Sequence, residues 1–87
     1  MIKVYFTPFF VRQLRSLPKE IQEEAIEKID LFKDRRNHKT LKVHKLKGRL
    51  TGRDSFSVNY RIRVVFRFLS ASEVVLLAIG DHDVYKL

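Results

Sequence analysis

The chain has 87 residues, of which 45% are hydrophobic, and it contains no cysteine. This length and composition predict one small globular domain spanning residues 1–87, and the lack of cysteine excludes a disulfide framework or a cysteine-based metal site. No apolar stretch approaches membrane-spanning length, and the apolar amino-terminal stretch is too short for a signal peptide. We therefore expect a cytoplasmic protein that does not associate with membranes.

The formal net charge of +8 is unevenly distributed along the chain. Residues 1–34 carry six Lys or Arg against six Asp or Glu, residues 35–68 carry eleven against one, and residues 69–87 carry one against three. Charge that only keeps a surface soluble usually mixes signs, as the first third does. The basic middle third instead indicates a surface that attracts a polyanion, of which nucleic acid is the commonest in a cytoplasm.

The first third of the chain predicts a strand followed by two helices. Residues 2–6 form a short apolar strand, after which Thr7 can cap a helix and Pro8 suits its first turn. Pro18 ends this helix and opens the next, which extends to about Lys33. The apolar positions at helical spacing are Phe10, Val11, Leu14 and Leu17 in the first helix and Ile21, Ala25, Ile29 and Phe32 in the second. The helices are expected to pack as a hairpin with an apolar seam.

The remaining chain predicts a basic connector and then a sheet. Residues 35–53 lack clear periodicity and carry a few core anchors. These anchors are Leu41, Leu46 and Leu50. Strands follow through residues 55–57, 58–68 and 74–79, and consecutive strands pair antiparallel. The predicted fold class is α+β: an amino-terminal strand, a two-helix hairpin and a three-stranded antiparallel meander, with the helices on one face of a small twisted sheet.

The strand at 58–68 alternates apolar even positions with arginines at odd positions. Antiparallel sheets can leave one face in solvent, so the face opposite the helices is predicted to be open and cationic. Arg61 and Arg63, with Arg49 and Arg53 nearby in sequence, can hold a phosphodiester and stabilise the charge that develops on it during cleavage. A row of solvated arginines without a ligand is the simpler alternative.

The connector adds a second set of basic candidates. Lys45, Lys47 and Arg49 alternate along the sequence, so in an extended segment they would share one side and could follow a nucleic-acid backbone. A solvated connector is the alternative. His38 and His44 are weaker candidates, because nothing nearby in sequence orients them and the surrounding cations lower their pKa.

A polar cluster follows the most apolar strand, in residues 79–85. His82 is the strongest candidate for chemistry, because an imidazole with an ordinary pKa of about 6.5 can exchange a proton at neutral pH. The flanking Asp81 and Asp83 can orient it or raise its pKa. Tyr85 can stack on a base or donate to a phosphate, or it can simply cover the sheet edge. A surface histidine in a turn is the alternative reading of His82.

Metal and cofactor sites are not supported by the motifs. Asp81, His82 and Asp83 are potential ligands, but neighbours in extended chain point to opposite sides, and no helical His pair accompanies them. The sequence also lacks a Gly-rich phosphate loop and a dinucleotide fingerprint. We therefore expect no metal and no cofactor.

Taken in order, these segments resemble the RelE/ParE superfamily of toxins from toxin–antitoxin pairs, essentially from end to end. The matching segments are the opening strand into Thr7-Pro8, the helices joined at Leu17-Pro18, Leu46-Lys47-Gly48, residues 59–66 and residues 79–85. The last segment is most similar to the RelE- and YafQ-type branch. The resemblance implies a RelE-like fold and a ribosome-dependent endoribonuclease. In that family the ribose 2′-hydroxyl attacks the adjacent phosphate of mRNA without a metal and leaves a 2′,3′-cyclic phosphate.

The resemblance also assigns roles to residues. His82 matches the family's carboxy-terminal catalytic histidine, Arg61 the arginine that contacts the scissile phosphate, and Tyr85 a carboxy-terminal aromatic residue of some members. Electrostatic support and ribosomal RNA contacts fall to Lys45, Lys47, Arg49 and Arg63. The implied partners are an antitoxin that wraps the toxin in a hetero-oligomer, the ribosome and mRNA.

Two departures leave other functions open. Ser55 and Ser57 stand where many relatives carry basic residues, and Asp81 and Asp83 add negative charge beside the candidate site. A weak nuclease or a pure binder therefore stays possible. A ParE-like DNA gyrase inhibitor would share the fold without needing an acid–base residue, although the histidine near the carboxyl end argues against it. A noncatalytic nucleic-acid-binding module would need only the basic middle third.

Overall fold

A computed structural model describes residues 1–81, 84 and 85 of the chain. This part contains strand β1 (Lys3–Phe6), helix α1 (Pro8–Arg15), helix α2 (Lys19–Phe32) and strands β2 (His44–Lys45), β3 (Asp54–Ser57), β4 (Arg63–Ser70) and β5 (Glu73–Gly80). Short 3₁₀ turns at Arg35–Asn37 and Gly48–Leu50 flank β2. No helix among the described residues has the length and apolar character needed to cross a membrane.

The predicted α+β class is confirmed, but the three-stranded meander is an incomplete description of the sheet. The described strands form one five-stranded mixed sheet in the order β1-β5-β4-β3-β2. The segments β3, β4 and β5 do pair antiparallel in sequence, as expected for strands joined by short loops. The meander is extended on one side by β1, which pairs parallel with β5, and on the other by β2, which the basic connector supplies.

The start of α1 follows the sequence prediction. The Thr7 side chain accepts a hydrogen bond from the Phe10 amide at 3.1 Å, which satisfies one of the free amides of the first helical turn. The same hydroxyl donates to the Leu76 carbonyl of β5 at 3.0 Å. Gln13 continues this connection, since its side-chain oxygen accepts from the Ile79 amide at 2.9 Å. Helix α1 is therefore attached to β5 along the half of that strand that leads to the candidate site.

The main core lies between the helices and one face of the sheet. It contains buried residues from both helices and from β3, β4 and β5, including Phe10, Ile29, Phe32, Phe56, Val64, Phe66 and Leu76. The Phe32 ring stacks on Phe56 and on His38, with centroid separations of 4.7 Å in both cases. The His38 Nε2 lies 2.7 Å from the Phe32 carbonyl oxygen, so this nitrogen donates. His38 is therefore a packing residue of the core edge.

The predicted open sheet face is in part covered. A second apolar cluster lies on the side of β4 and β5 opposite the main core and contains the buried residues Val65, Ala78 and Val84. Leu46, Leu77 and Tyr85 pack against it. The sequence prediction was wrong on this point because Val84 and Tyr85 fold back over the sheet, which strand periodicity does not reveal. Arg63 and Arg67 are still on this face, at the two sides of Val65.

The predicted strand from Val58 to Phe68 begins later, at Arg63. Residues 58–62 instead form the loop between β3 and β4, closed by a hydrogen bond from the Val58 amide to the Ile62 carbonyl at 2.9 Å. Arg61 therefore projects from a loop and is not part of a ladder on β4. The anchors Leu41 and Leu50 are buried as predicted.

Candidate active site between the β3–β4 loop and the end of β5

The sheet register brings two candidate segments together. Arg63, the first residue of β4, pairs with Gly80, the last residue of β5. The loop before Arg63 and the chain after Gly80 therefore leave the sheet side by side. At this junction the Arg61 Nη2 lies 3.4 Å from the Asp81 Oδ2. Their side chains are 66% and 44% exposed, so a ligand can reach both groups from solvent.

The side chain of Asn59 holds the backbone of the loop. Its Oδ1 accepts from the amides of both Arg61 and Ile62 at 2.8 Å, the pattern that makes asparagine a strong loop former. Its Nδ2 donates to the Glu24 carboxylate of α2 at 2.8 Å. The backbone that carries Arg61 is therefore fixed to helix α2 through two side chains.

Arg63 supports the loop more than it faces solvent. It is only half-exposed, and its Nη1 donates to the Asn59 carbonyl and, at 3.4 Å, to the Ile62 carbonyl. A guanidinium bonded to backbone carbonyls keeps its positive charge, because carbonyl oxygens do not neutralise it. Arg63 stabilises the loop, and it also contributes a fixed positive charge two residues after Arg61 in the sequence.

The carboxy-terminal turn is anchored on the second apolar cluster. The Val84 amide donates to the Asp81 carbonyl at 2.9 Å, and the Val84 side chain is buried. The Tyr85 hydroxyl lies 3.0 Å from the hydroxyl of Ser55, a fully buried residue of β3. Tyr85 is thus positioned by a specific polar contact. His82, the predicted acid–base residue, lies outside the described residues, as does Asp83.

The basic connector is extended only in part. Lys45 ends β2, Lys47 precedes the Gly48–Leu50 turn, and Arg49 lies within that turn, where Gly48 has a φ of +69°. The condition for these three side chains to share one side, an extended segment, is therefore not met through Arg49, because the left-handed Gly48 bends the chain between Lys47 and Arg49. Arg53 directly precedes β3, and its carbonyl accepts a hydrogen bond at 2.9 Å from the amide of Leu46, the residue that follows β2.

Strand β2 also places a carboxyl beside the basic residues. Asp54 pairs with Lys45 across β2 and β3. Burial raises the pKa of the Asp54 carboxyl, while the electrostatic effects of the neighbouring Lys45 and His44 side chains counteract part of that rise. The Asp54 carboxyl therefore offsets part of the positive charge of Lys45, so Lys45 should attract an anion less strongly than an isolated lysine would.

The structure adds one residue that sequence reasoning ranked low. His44 pairs with Ser55 across β2 and β3, so both project on the sheet face that Tyr85 covers. Its Nδ1 lies 2.8 Å from the Lys42 carbonyl, so Nδ1 must carry the hydrogen and Nε2 is the basic nitrogen of the neutral ring. The prediction missed this arrangement because a two-residue strand inside a basic connector gives no periodic signal.

Two of the three potential metal ligands noted in the sequence, His82 and Asp83, lie outside the described residues. The described residues contain no group of three His, Cys, Asp or Glu side chains that could hold a metal ion. Of the three potential ligands noted in the sequence, Asp81 is described and pairs with Arg61. The arrangement is suited to a phosphodiester, which takes guanidinium and ammonium contacts and hydrogen-bond donors.

Comparison with known proteins gives similarity in structure alone. No protein-family model matches the chain. No curated protein sequence is significantly similar to it either. The chain has the same fold as the RelBE2 toxin–antitoxin complex of Mycobacterium tuberculosis, with a TM-score of 0.74, 25% identity, and coverage of 93% of this chain and 98% of that one.

Two further solved structures agree. The YoeB-YefM complex of Staphylococcus aureus has a TM-score of 0.71 at 19% identity, covering 94% of this chain and 98% of that one. The archaeal RelE-RelB complex of Pyrococcus horikoshii has a TM-score of 0.70 at 21% identity, covering 92% and 93%. Each match covers nearly the full length of both chains, so the similarity extends over the whole fold. The chain therefore shares the fold of these RelE- and YoeB-type structures.

Proposed function

We propose that this protein is the toxin of a type II toxin–antitoxin pair and that it is a ribosome-dependent mRNA endoribonuclease. The observation that carries the proposal is the nearly full-length structural match to RelE- and YoeB-type proteins solved with their antitoxins. The cationic middle third of the sequence, residues 35–68, also supports the proposal, because positive charge favours an RNA substrate.

In the proposed reaction the ribose 2′-oxygen attacks the adjacent phosphorus while the bond from phosphorus to the 5′-oxygen breaks. A base takes the proton of the 2′-hydroxyl, and an acid gives a proton to the leaving 5′-oxygen, so the products are a 2′,3′-cyclic phosphate and a 5′-hydroxyl. His82 is the proposed acid or base, on the grounds of its position in the sequence and of the resemblance. Tyr85 in the carboxy-terminal turn, and His44, which pairs with the Ser55 that contacts Tyr85, are further groups that can hold or transfer a proton.

Arg61 is proposed to bind the scissile phosphate and to stabilise the additional negative charge of the pentavalent transition state. Its contact with Asp81 does not oppose this role strongly. Exposed ion pairs contribute about 0–1 kcal/mol, so a phosphate with two oxygens available to the guanidinium can replace the carboxylate at little cost. Arg63 supports the site by its fixed charge, and Arg49, Arg53, Lys45 and Lys47 are proposed to contact the RNA backbone.

The proposed partners are an antitoxin, mRNA and the ribosome, which places the site of action in the cytoplasm. The RelE and YoeB relatives were solved in complexes with RelB and YefM. A net charge of +8 favours a partner with an acidic surface, because opposite charge speeds association. A toxin–antitoxin hetero-oligomer is therefore the expected resting form.

Brief induction in growing bacteria tests the proposal. Protein, RNA and DNA synthesis are followed by pulse labelling for the wild type and for Arg61→Ala, His82→Ala and Arg67→Ala. Arg67 is the matched control, because it is an exposed arginine of β4 that pairs with Val75, several residues from the junction. We expect protein synthesis to stop first in the wild type and in Arg67→Ala, and to continue in the other two variants.

Three outcomes would contradict this proposal. Arrest of DNA synthesis before translation, unchanged by His82→Ala, would indicate a gyrase-type toxin. Absence of any arrest, with salt-sensitive binding of nucleic acid by the isolated protein, would indicate a noncatalytic binding module. Arrest of translation that persists in both Arg61→Ala and His82→Ala would remove the assigned site residues from the mechanism.

A further inference from the structure

Tyr60 is the most exposed aromatic residue among those described. Its side chain is 85% exposed, although a tyrosine ring gains most by burial. It lies at the tip of the β3–β4 loop, directly before Arg61. The hydrogen bonds of Asn59 to the loop amides and to Glu24 fix this tip. The loop therefore presents an aromatic ring to solvent on a backbone with little freedom to withdraw it.

Two surface grooves of the described structure share Tyr60 as a lining residue. One groove lies between α2 and the connector, with Leu41 and Val58 as apolar lining, Thr40 as a polar group and Lys28 and Lys42 as cations. The other groove lies toward the start of α2, where Leu17, Pro18 and Ile21 contribute apolar surface, and it contains Arg61 and Asp81. Tyr60 lines both grooves.

The charges of the two grooves favour a single-stranded nucleic acid across Tyr60. The first groove has two lysines and no carboxylate among its lining residues, although the exposed carboxylate of Glu27 lies 3.8 Å from the Lys28 ammonium. The carboxylates of the second groove already have partners, since Glu24 accepts from Asn59 and Asp81 pairs with Arg61. A strand crossing the loop would meet an arginine on one side of the ring, two lysines on the other and the exposed ring between them.

We propose that Tyr60 is a nucleobase-binding residue. Its ring stacks on the base next to the phosphate that Arg61 binds, and the strand continues into the groove lined by Lys28 and Lys42. Every base has a π face, so this contact gives affinity and orientation with little sequence preference. The inference rests on the proposed function, because it assigns the subsite next to the scissile phosphate.

Fluorescence anisotropy with a labelled single-stranded RNA of about ten nucleotides, within the range of known single-strand binding sites, measures this contact without catalysis. The RNA carries 2′-O-methyl groups throughout, so that no 2′-hydroxyl is free to attack. Tyr60→Ala should weaken binding by about 5- to 150-fold, which corresponds to a stacking free energy of about 1–3 kcal/mol. Tyr60→Phe should retain affinity because it keeps the ring. Tyr5→Ala removes a partly exposed tyrosine from β1, at the far edge of the sheet, and should not change affinity.

The salt dependence separates stacking from charge. Arg61→Ala removes one phosphate contact and should reduce the slope of log K against log salt by about 0.7, whereas Tyr60→Ala should lower affinity without changing the slope. Normal affinity of Tyr60→Ala, beside weakened Arg61→Ala, would overturn the assignment of Tyr60, leave the proposed function intact and point to a protein partner for this ring. Normal affinity of both variants would overturn the phosphate-binding role of Arg61 as well.

Discussion

The contact between Ser55 and Tyr85 predicts an unequal effect of removing its two hydroxyls. The oxygens lie 3.0 Å apart, Ser55 is 0% exposed, and Tyr85 is partly exposed. Ser55→Ala leaves a tyrosine hydroxyl that water can reach. Tyr85→Phe leaves a serine hydroxyl buried beneath the second apolar cluster, where water does not replace the lost partner. Removing the hydroxyl of Tyr85 should therefore destabilise the protein more than removing that of Ser55.

The expected magnitudes follow from the burial of the group that is left behind. Loss of an ordinary hydrogen bond, as in Ser55→Ala, should lower the free energy of unfolding by about 0.5–1.5 kcal/mol. Leaving a buried hydroxyl without a partner, as in Tyr85→Phe, should cost about 1–3 kcal/mol. The double variant should lose less than the sum of the two, because the second substitution removes the group that the first left unpaired.

Urea denaturation of the four proteins, followed by circular dichroism, measures these differences, and thermal melting gives a second reading of about 4–8 °C per kcal/mol. Ser57→Ala is the control, since Ser57 is two residues along the same strand, and its effect should stay within about 0.5 kcal/mol. Equal losses for Ser55→Ala and Tyr85→Phe, or strictly additive losses in the double variant, would refute the contact and with it the described position of Tyr85.

Three further predictions concern the scaffold. Thr7→Ala should lower the free energy of unfolding by about 1–2 kcal/mol, because the hydroxyl both caps α1 and bonds the Leu76 carbonyl. Thr7→Ser keeps the hydroxyl and should retain most of that stability. Equal losses for the two variants in urea denaturation would contradict the capping role. Lys42 has a φ of +59°, a conformation that costs residues other than glycine about 1–2 kcal/mol, so Lys42→Gly should raise stability relative to Lys42→Ala in the same assay. Hydrogen bonds from Arg36 lower the pKa of Asp34 to about 2. The carboxylate therefore stabilises the fold above its unfolded pKa of 3.8, and this stabilisation is lost as the pH falls through about 2. The melting temperature of Asp34→Asn should be lower than that of the wild type at pH 7, and the difference should disappear near pH 2.

Much of the fold was predictable because local signals agree with tertiary packing. Thr7 and Pro8 mark the start of α1, Pro18 separates the helices, and the apolar run of β5 matches a central strand with neighbours on both sides. The start of β4 was not predictable from periodicity. Apolar and polar residues alternate through positions 58–62, but the Asn59 side chain bonds two loop amides and diverts the backbone from the sheet.

The candidate site was predictable in part for a related reason. A meander of adjacent strands brings the chain before β4 next to the chain after β5, so the proximity of Arg61 to Asp81 follows from topology. The contact of Ser55 with Tyr85 and the pairing of Ser55 with His44 depend on the fold-back of the carboxy-terminal turn and on a two-residue strand. Neither feature has a sequence period, so only the three-dimensional arrangement reveals them.

Cleavage of mRNA by the purified protein tests the proposed activity more directly than growth arrest does. Wild type, Arg61→Ala and Arg67→Ala are added to ribosomes programmed with a defined mRNA, and to the same mRNA alone, and the 5′ ends of the products are mapped by primer extension. We expect cleavage by wild type and Arg67→Ala with ribosomes only, and a rate about 10²–10³-fold lower for Arg61→Ala. No cleavage should occur when the nucleotide 5′ of the cut carries a 2′-deoxyribose. Absence of cleavage by the wild type, or equal rates for the wild type and Arg61→Ala, would contradict the proposal.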